Sequence, residues 1–557
     1  MRHLSASALP LVLGSCLLLA QPASATLGFA EPAVLNSTAA SDAAAADNTT
    51  DIATDGDGHW VAVWSSFNSL GNTIGTDSDI LVARSNDNGA TWTNAAPLNS
   101  NADVDAGSDS NPVVSTDGAG VWIAAWATTD DLEETIGTDG DILFARSTDN
   151  GVTWSDVSVL HSNADTDSGV DAMPRLVNDG GLNWIASWQS TDTLGGSVGT
   201  DNDVFYVLSD DGGLNWTGVT TLNSNASTDI GLDTNATIAT DRAGNWVAVW
   251  ETNDPFGNTV GTDYDIFVAR STNNGQSWTT MAPLNSNATT DTGNDRAPSV
   301  EYGGAGEWAL IWHSNDTLGN TVGTDNDIFV ASSEDSGATW SDVKALDPNA
   351  GTDTVGDVNA TVRSDTAGNW LAVWHGLHTV AGGDYDVFAS SSSDGGATWG
   401  LVAVLYEGAD SDVGNDINAR AATDGLGNWA VAWQSTNSLS GTIGSDNDIL
   451  ISTSSALSVN GLTVIAPNGD EKWKHDSKRK ILWSSTGTIG AKVRLDLFRN
   501  GSFITTIKTK TKNDGKQSWI LPSNIPAGTG YAIRVTAKQD ANIMDESDGT
   551  FRIKPAN

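Results

Sequence analysis

Short apolar segments alternate with polar, glycine- and aspartate-rich stretches along most of this chain. In the most regular segments two tryptophans stand four residues apart, as in Trp122 and Trp126, and Ile123 and Ala125 between them are also apolar. Successive strand residues point to opposite faces, so such segments predict strands that are apolar on both faces and buried within a covered sheet. Seven copies of the pair occur: Trp60/Trp64, Trp122/Trp126, Trp184/Trp188, Trp246/Trp250, Trp308/Trp312, Trp370/Trp374 and Trp429/Trp433.

The period of this pattern predicts the architecture. The copies follow one another at 62 residues, except for a last step of 59. In the second copy the pattern predicts strand A at 111–117, strand B at 121–127, strand C at 141–147 and strand D at 157–162. A long period made only of strand-like segments indicates radial blades, so residues 26–456 are predicted to form an all-β, seven-bladed β-propeller.

The last copy of the pattern has no fourth strand after its strand C. Residues 33–37 (AVLNS) match the strand D residues 96–100 (APLNS), yet no strands A to C precede them. We therefore expect the N-terminal segment to complete the last blade, which closes the ring and removes its open sheet edges.

Residues 1–25 predict a secretory signal peptide, because Arg2 precedes an apolar run at 9–20 and an Ala-Ser-Ala triplet ends the segment. The single cysteine, Cys16, lies in this segment, so a mature chain beginning after it has no disulfide. Residues 13–16 also fit a lipoprotein cleavage box, but the apolar run continues past them, which disfavours anchoring at Cys16. We expect a secreted, extracellular or cell-surface protein with no transmembrane segment in its mature chain.

Charge divides the chain at about residue 462. The 557 residues contain 26 Lys and Arg against 70 Asp and Glu, a net charge of −44. From residue 462 onward 16 basic residues oppose 9 acidic ones, which leaves 10 against 61 before it, a balance of −51. A surface this acidic repels nucleic acid and anionic lipid. The expected partners are cations and neutral or basic macromolecules, and no organic cofactor is expected.

A second repeated motif, Ser-x-Asp/Asn-x-Gly-x-x-Trp, stands between strands C and D. Its carboxylate can accept hydrogen bonds from the backbone of its own turn, and its glycine can take a positive φ. The motif resembles the Asp-box (BNR) repeats of the sialidase-like propellers, and the resemblance covers about residues 27–456. In that family these turns lie opposite the substrate site, which implies a structural role for the Asp-box residues Asp87, Asp149, Asp211, Asn273, Asp335 and Asp394.

The sialidase resemblance implies an exo-acting glycoside hydrolase only where the family's catalytic set is present. That set contains an Arg in a Phe/Tyr-Arg-Ile-Pro motif, two further arginines, a Tyr/Glu nucleophile pair and an Asp acid. Here the similar sequence at 551–555 has an inserted lysine and lies at the C-terminal end, where a sandwich strand explains it. The remaining catalytic candidates are the strand A arginines, with Arg175 and Arg296 foremost beside Arg363 and Arg420, and the adjacent Glu301 and Tyr302.

One position varies within the otherwise constant repeat, directly after the second tryptophan of strand B. Glu251, His313 and His375 occupy it in consecutive blades. A polar position that varies in a constant frame is a candidate for ligand binding or acid–base chemistry. The alternative is that these side chains are solvated strand ends.

Acidic residues also repeat at the end of the propeller opposite the Asp boxes. Closely spaced carboxylates with a glycine bend suit Ca²⁺, which takes six to eight oxygen ligands, although no loop matches the EF-hand pattern. We therefore expect bound calcium; the alternative is that the aspartates form Asx turns and solubilise the rim. The candidate ligands are Asp103, Asp105, Asp109, Asp165, Asp167 and Asp171 in the D-to-A loops, and Asp139, Asp141, Asp201, Asp203, Asp263, Asp265, Asp325 and Asp327 at the ends of the B-to-C loops. Further copies are Asp77, Asp79, Asp229, Asp233, Asp291, Asp295, Asp353, Asp357, Asp384, Asp386, Asp410, Asp412, Asp416, Asp446 and Asp448.

Residues 462–557, after a short linker at 457–461, predict a separate domain. Alternating apolar runs are separated by turn sequences such as Asn-Gly-Asp and Asn-Asp-Gly, which is a β-sandwich pattern. The region resembles the domain of the Ser-Thr-rich GPI-anchored membrane family, which implies an immunoglobulin-like accessory module at cell surfaces. Because no apolar tail follows in the sequence, no GPI anchor is expected, and the basic balance suits docking to an acidic cell-wall polymer.

The sequence therefore favours a calcium-stabilised propeller that binds a glycan or an extracellular protein without catalysis. The alternative is a glycoside hydrolase of sialidase type.

Overall fold

In a computed structural model, two compact units account for the fold, one within Thr26–Gly461 and one formed mainly by Leu462–Ser484 and Ile489–Asn557. The structure describes residues 28–41, 45–285, 287–347, 350–352, 354–377, 383–406, 408–409, 413–454, 461–469, 471–486, 492–538, 544–547 and 549–556. The predicted signal peptide at 1–25 with Cys16, and most of the predicted linker at 457–461, lie outside the described residues.

The first unit consists of repeated four-stranded antiparallel sheets, here called blades 1 to 7 in chain order. In each blade strand A is innermost and is followed outward by strands B, C and D. A short strand β1 (Ala33–Val34) precedes the first blade. Blade 1 contains β2 (Asp47–Thr54), β3 (Trp60–Ser66), β4 (Asp79–Ser85) and β5 (Ala96–Pro97), and blade 2 contains β6 (Ser110–Thr116), β7 (Trp122–Thr128), β8 (Asp141–Ser147) and β9 (Ser158–Val159). Blade 3 contains β10 (Asp171–Asn178), β11 (Trp184–Ser190), β12 (Asp203–Ser209) and β13 (Thr220–Thr221), and blade 4 contains β14 (Asp233–Thr240), β15 (Trp246–Thr252), β16 (Asp265–Ser271) and β17 (Ala282–Pro283). Blade 5 contains β18 (Asp295–Gly304), β19 (Glu307–Ser314), β20 (Asp327–Ser333) and β21 (Lys344–Ala345); blade 6 contains β22 (Asp357–Ser364), β23 (Trp370–Leu377), β24 (Tyr385–Ser392) and β25 (Ala403–Val404); and blade 7 contains β26 (Asp416–Thr423), β27 (Trp429–Ser435) and β28 (Asp448–Ser454).

The all-β class and the repeated sheets are confirmed. In blade 2 strands A, B and C lie within one residue of their predicted bounds, whereas strand D is only Ser158–Val159. Two single-turn 3-10 helices, Phe256–Asn258 and Leu439–Gly441, lie wholly within the described residues. No helix in the described part of the chain is long and apolar enough to cross a membrane.

The paired tryptophans of strand B form the contact between neighbouring blades. Trp184 and Trp188 of blade 3 pack with Ile123 and Ala125 of blade 2 in one buried cluster. All fourteen strand B tryptophans are at most 1% exposed. Each blade is therefore apolar on both faces because each face is buried against another blade.

Blade 7 is completed by the N-terminal strand, as the sequence predicts. Strand β1 pairs with β28, with Ala33 opposite Ile451 and Val34 opposite Leu450. A buried cluster that includes Leu35 then joins Trp60 of blade 1 to Ile449 and Ile451 of blade 7. The A strands of all seven blades line one central cavity of about 490 Å³.

The Asp-box turns join strands C and D. In blade 5 the carboxylate of Asp335 accepts hydrogen bonds from the backbone N–H of Thr339 at 2.8 Å and from its hydroxyl at 2.7 Å. The box glycine has a positive φ, +77° at Gly213, and its missing Cβ leaves space for Ile123 of the preceding blade. These turns therefore hold each C–D connection against the neighbouring blade.

The second unit is a two-sheet sandwich. Its strands are β29 (Gly461–Ala466), β30 (Lys472–Lys474), β31 (Lys478–Thr486), β32 (Lys492–Arg499), β33 (Ser502–Lys512), β34 (Lys516–Ile520), β35 (Gly528–Ala537), β36 (Met544–Glu546) and β37 (Phe551–Lys554). One sheet has the order β29-β31-β34; the other has the order β30-β37-β35-β32-β33, with β36 beside β35. The core contains Trp473, Trp483, Trp519, Tyr531 and Phe551. The sequence at 551–555 thus supplies a sandwich strand.

Candidate metal centres between the blades

Acidic side chains converge where consecutive blades meet, at the end of the sheets where strands A and C begin. At the junction of blades 1 and 2, one carboxylate oxygen from each of Asp77, Asp79 and Asp105 lies within 4.8 Å of the others. Asp109 directly precedes the next strand A, and its N–H donates to the carbonyl of Ser78 at 2.7 Å. The fold therefore places residues from two blades and their connection in one acidic cluster.

An asparagine at the end of strand D lies inside this cluster. The Asn99 amide donates to Asp79 at 3.0 Å, and its oxygen accepts from the N–H of Ile80 at 3.1 Å. At the junction of blades 3 and 4, Asn223 donates to Asp203 and to Asp233, both at 2.6 Å. Sequence reasoning missed these asparagines, although they occur in a repeated Leu-Asn-Ser sequence at the end of strand D.

Several carboxylate oxygens in the first junction have no hydrogen-bond partner among the described residues. They include Oδ2 of Asp79, Oδ1 of Asp105 and Oδ1 of Asp109. Asp79 and Asp109 are each only 1% exposed. A buried carboxylate oxygen without a partner is costly, so a proton, a water molecule or a cation at these oxygens would stabilise the fold.

The pKa values of these carboxyl groups reflect that cost. Burial raises the pKa of Asp79 to about 6, and burial together with the charges of Asp79, Asp77 and Asp130 raises that of Asp105 to about 7. Burial raises the pKa of Asp109 well above its usual range. A divalent cation would replace these protons and offset the repulsion between like charges.

The same arrangement recurs around the ring. Asp201, Asp203 and Asp229 form a group between blades 3 and 4, and Asp263, Asp265 and Asp291 form one between blades 4 and 5. Between blades 2 and 3 the group contains a histidine: Asp141, His161, Asp167 and Asp171. Each of these groups of acidic residues could hold a metal ion.

The structure leaves some predicted ligands outside these groups. Asp103 and Asp165 are exposed on the outer turn of their loops. Asp139 lies beside the histidine group, since its charge contributes to the raised pKa of Asp141 and Asp167. Asp325 and the buried Asp327 precede and begin strand C of blade 5. Their loop counterpart Asp353, like Asp410 and Asp412, lies outside the described residues.

Glu251 and Arg296, two catalytic candidates, contact each other. The Arg296 Nε donates to Glu251 Oε1 at 2.9 Å, and the N–H of Ala297 donates to the second carboxylate oxygen at 2.5 Å. The guanidinium also lies 3.9 Å from the ring centre of Tyr264. Glu251 is fully buried, so its carboxylate is held between blades 4 and 5.

The two histidines at the same variable position also join blades. His313 Nδ1 accepts from the N–H of Asn359 at 3.4 Å, and His375 Nδ1 accepts from the N–H of Asn418 at 3.3 Å. Both donors are residues of positive φ at the strand A bulge of the following blade. Burial lowers the pKa of each histidine to about 4, so both are neutral at pH 7. Glu251, Arg296 and His313 border a pocket of about 390 Å³.

The Glu301 and Tyr302 side chains point to opposite faces of strand A. Glu301 faces the central cavity, with its Oε2 3.6 Å from Nη1 of Arg363. Tyr302 packs on Trp308, with ring centres 5.1 Å apart, and its hydroxyl accepts from the N–H of Gly306 at 3.3 Å. Arg175 and Arg420 also line the central cavity, and burial lowers the pKa of Arg175 to about 10. The Glu301 and Tyr302 side chains therefore do not form a pair, because only Glu301 faces the central cavity.

A family model matches part of the second unit. Residues 466–552 match the family model described as the Kre9/KNH-like N-terminal Ig-like domain, which confirms the immunoglobulin-like expectation for this region. A search of curated proteins gives no match.

Several solved structures are similar to the chain at low sequence identity. A protein of unknown function from Dyadobacter fermentans is 13% identical, with 76% of this chain and 98% of that chain covered and a TM-score of 0.42. The GH93 α-L-arabinofuranosidase of Fusarium graminearum is 16% identical, with 65% and 97% covered and a TM-score of 0.41. The NanB sialidase of Streptococcus pneumoniae is 11% identical, with 63% and 67% covered and a TM-score of 0.40.

Proposed function

We propose that this chain is an extracellular, non-catalytic binding propeller whose blades are joined by calcium ions. The observation that carries the proposal is the recurrent cluster of buried carboxylates with unpartnered oxygens between blades. The ions would offset the repulsion between the acidic blades and make the closed ring a rigid platform for a glycan or an extracellular protein.

Calcium fits the junctions that contain an asparagine because their available ligands are oxygens. At the first junction Asp77, Asp79, Asp105 and Asp109 supply carboxylates from two blades. Hard cations that take six to eight oxygen ligands prefer such a set, and extracellular modules bind calcium in the range of about 10⁻⁴ to 10⁻³ M. Calcium at this position would tie strand C of one blade to strand A of the next.

Binding is favoured over catalysis because the candidate catalytic groups make contacts within the fold. Glu251 is held by Arg296 and a backbone N–H, and His313 and His375 accept backbone hydrogen bonds. The excess of basic residues after residue 462 suits an accessory role for the sandwich at an acidic wall polymer.

Thermal unfolding of the chain lacking residues 1–25 tests the calcium sites. At fixed ionic strength, millimolar Ca²⁺ should raise the Tm above that in chelator, since a site filled at 100 times its Kd adds about 2.7 kcal/mol. Asp105→Asn should reduce this rise. Asp103→Asn is the matched control, because Asp103 is exposed in the same loop and lies outside the cluster.

Equal melting temperatures in Ca²⁺ and in chelator would reject the calcium proposal. An equal loss in both variants would show that the effect comes from general charge screening rather than from the junction site.

A glycoside hydrolase of sialidase type is the second candidate, and the pocket bordered by Glu251, Arg296 and His313 is the observation that favours it. Hydrolysis of a fluorogenic sialoside in millimolar Ca²⁺ separates the two functions. Turnover that disappears in Arg296→Ala would establish catalysis at this pocket. No turnover, with the calcium-dependent melt retained, supports the binding propeller.

A further inference from the structure

The junction of blades 2 and 3 differs from the others at one buried position. His161 follows the last apolar residue of strand D, where the other repeats have Asn36, Asn99, Asn223, Asn285, Asp347 and Tyr406. Its side chain is fully buried and packs against Trp188, with ring centres 5.3 Å apart and the rings tilted by 31°. The change therefore places an imidazole inside an acidic cluster that otherwise contains mostly oxygen and amide groups.

The histidine cannot reproduce the hydrogen bonds of the asparagine it replaces. Asn223 uses its oxygen to accept from the N–H of Val204 and its NH₂ group to donate to two carboxylates. At His161 the single atom Nε2 faces both a backbone N–H donor and carboxylate oxygens. Nε2 lies 3.3 Å from the N–H of Ile142, 3.1 Å from Asp171 Oδ2 and 3.4 Å from Asp141 Oδ1.

The hydrogen bonds around the ring favour a lone pair on Nε2. In the tautomer assigned from the Ile142 N–H, Nε2 is the acceptor and the imidazole proton lies on Nδ1. Nδ1 lies 3.3 Å from Asn163 Oδ1, which can accept that proton. The Asn163 amide in turn donates to Asp167 at 2.8 Å and to Asp192 at 2.9 Å. This outer arrangement is typical of a histidine that ligates a metal.

Nε2 also lies among carboxylate oxygens that lack donors, and a metal ion on its lone pair would take the place of the hydrogen bond from the Ile142 N–H. Both oxygens of Asp141, Oδ1 of Asp171 and Oδ1 of Asp167 have no hydrogen-bond partner in the described part of the chain. Asp141 is 0% exposed and Asp171 is 2% exposed. Three carboxylates and one imidazole thus each offer one ligand atom within 4.8 Å of the others.

We propose that this junction binds a divalent transition metal of the zinc type through His161 Nε2 and the carboxylates of Asp141, Asp167 and Asp171. Imidazole nitrogen with carboxylate oxygen is a ligand set for zinc and its neighbours, whereas calcium takes oxygen ligands only. The ring would then hold one metal site that differs in kind from the asparagine junctions. The proposal does not depend on calcium at those junctions.

Metal titration of the chain lacking residues 1–25 tests the site. After chelator treatment, the protein in millimolar Ca²⁺ should bind one equivalent of Zn²⁺ tightly, and Co²⁺ should give the visible absorption of a nitrogen-ligated ion. His161→Asn should weaken Zn²⁺ binding by more than about tenfold and remove the Co²⁺ spectrum. Asparagine is the native residue at four other junctions, so this variant preserves the fold.

His59→Asn is the matched control, because His59 also lies beside a carboxylate, Asp55, but is partly exposed. The His59→Asn variant should bind Zn²⁺ as tightly as the unaltered chain. Equal Zn²⁺ binding by His161→Asn and the unaltered chain would overturn the proposal. The absence of a tightly bound equivalent of Zn²⁺ would also overturn it, and would mean that a proton bridges Nε2 and Asp171. The calcium-dependent melt is a separate measurement, so either proposal can fail alone.

Discussion

Single residues of the Asp box show how a repeated turn tolerates limited change. Asp335 and Asn273 occupy the same position in blades 5 and 4, and each uses Oδ1 to accept the N–H four residues later, at 2.8 Å and 3.0 Å. Hydrogen bonds from Thr339 lower the pKa of Asp335 to about 2. The turn therefore requires an acceptor oxygen at this position in both blades, whereas it forms with or without the negative charge.

Asp335→Ala should lower the free energy of unfolding by about 1 to 2 kcal/mol, because the turn loses its side-chain acceptor. Asp335→Asn should lose less than half of that amount, since an amide oxygen serves the same turn in blade 4. Urea denaturation measures both. Glu334→Ala, which removes one exposed negative charge next to the turn, is the control. An equal loss in all three variants would contradict the acceptor role.

The aspartates of the junctions could be predicted from sequence because they repeat with the blade period. Their asparagine partners and His161 were missed, since an Asn-Ser pair at the end of a strand also suits an ordinary polar turn. The exposure of Asp103 could not be predicted either. Only the folded loop shows that Asp105, two residues later, points into the junction while Asp103 points to solvent.

At the scale of the strand, β1 closes the ring with few residues. Besides the pairing with β28, the N–H of Leu35 donates to the carbonyl of Ile449 at 2.8 Å. Leu35 is 2% exposed. The Asn36 amide then donates to Asp47 at 2.5 Å and to Asp448 at 2.9 Å, so it joins blade 1 to blade 7.

Removal of residues 1–36 should destabilise the propeller by at least about 3 kcal/mol relative to removal of 1–25, because Leu35 leaves a cavity and blade 7 loses its outer strand. The exposed edge of β28 should also pair with other molecules. Thermal unfolding and light scattering after size exclusion check both effects. An unchanged Tm with a monomeric peak would show that β1 does not hold the ring closed.

Strands A to C were predictable because their side chains are buried on one or both faces and leave an apolar pattern. Strand D was predicted too long, since it pairs on one side only and its ladder in blade 2 ends at Val159. The strand A bulge was not predicted. Positive φ at residues such as Met173 has no signal in a strand pattern, and the bulge becomes visible only through the register shift.

At the scale of the whole molecule, the acidic balance is concentrated where blades meet. The chain before residue 462 has a balance of −51, and its junction carboxylates are partly or fully buried. Without a cation these groups repel one another, and protons relieve the repulsion. The free energy of unfolding of the cation-free ring should therefore fall as the pH rises from acid toward neutral.

The sign follows from the raised pKa values. Burial raises the pKa of Asp79 to about 6 and those of Asp203 and Asp265 to about 7, while their usual value is 3.8. Between pH 4 and pH 7 the folded chain therefore binds more protons than the unfolded chain. The free energy of unfolding must fall as pH rises through this window, by at most about 1.4 kcal/mol per pH unit for each extra proton.

In chelator the Tm should therefore fall between pH 5 and pH 8, whereas saturating Ca²⁺ should abolish most of the fall because the ion takes the place of the protons. The stabilisation by Ca²⁺ should accordingly be small at pH 5 and large at pH 8. Melting curves at constant ionic strength check this, with Asp105→Asn expected to flatten the chelator profile and Asp103→Asn to leave it unchanged. A Tm that rises from pH 5 to pH 8 in chelator would mean that the junction carboxylates are stabilised as anions by the protein itself, and that the ring needs no cation to remain closed.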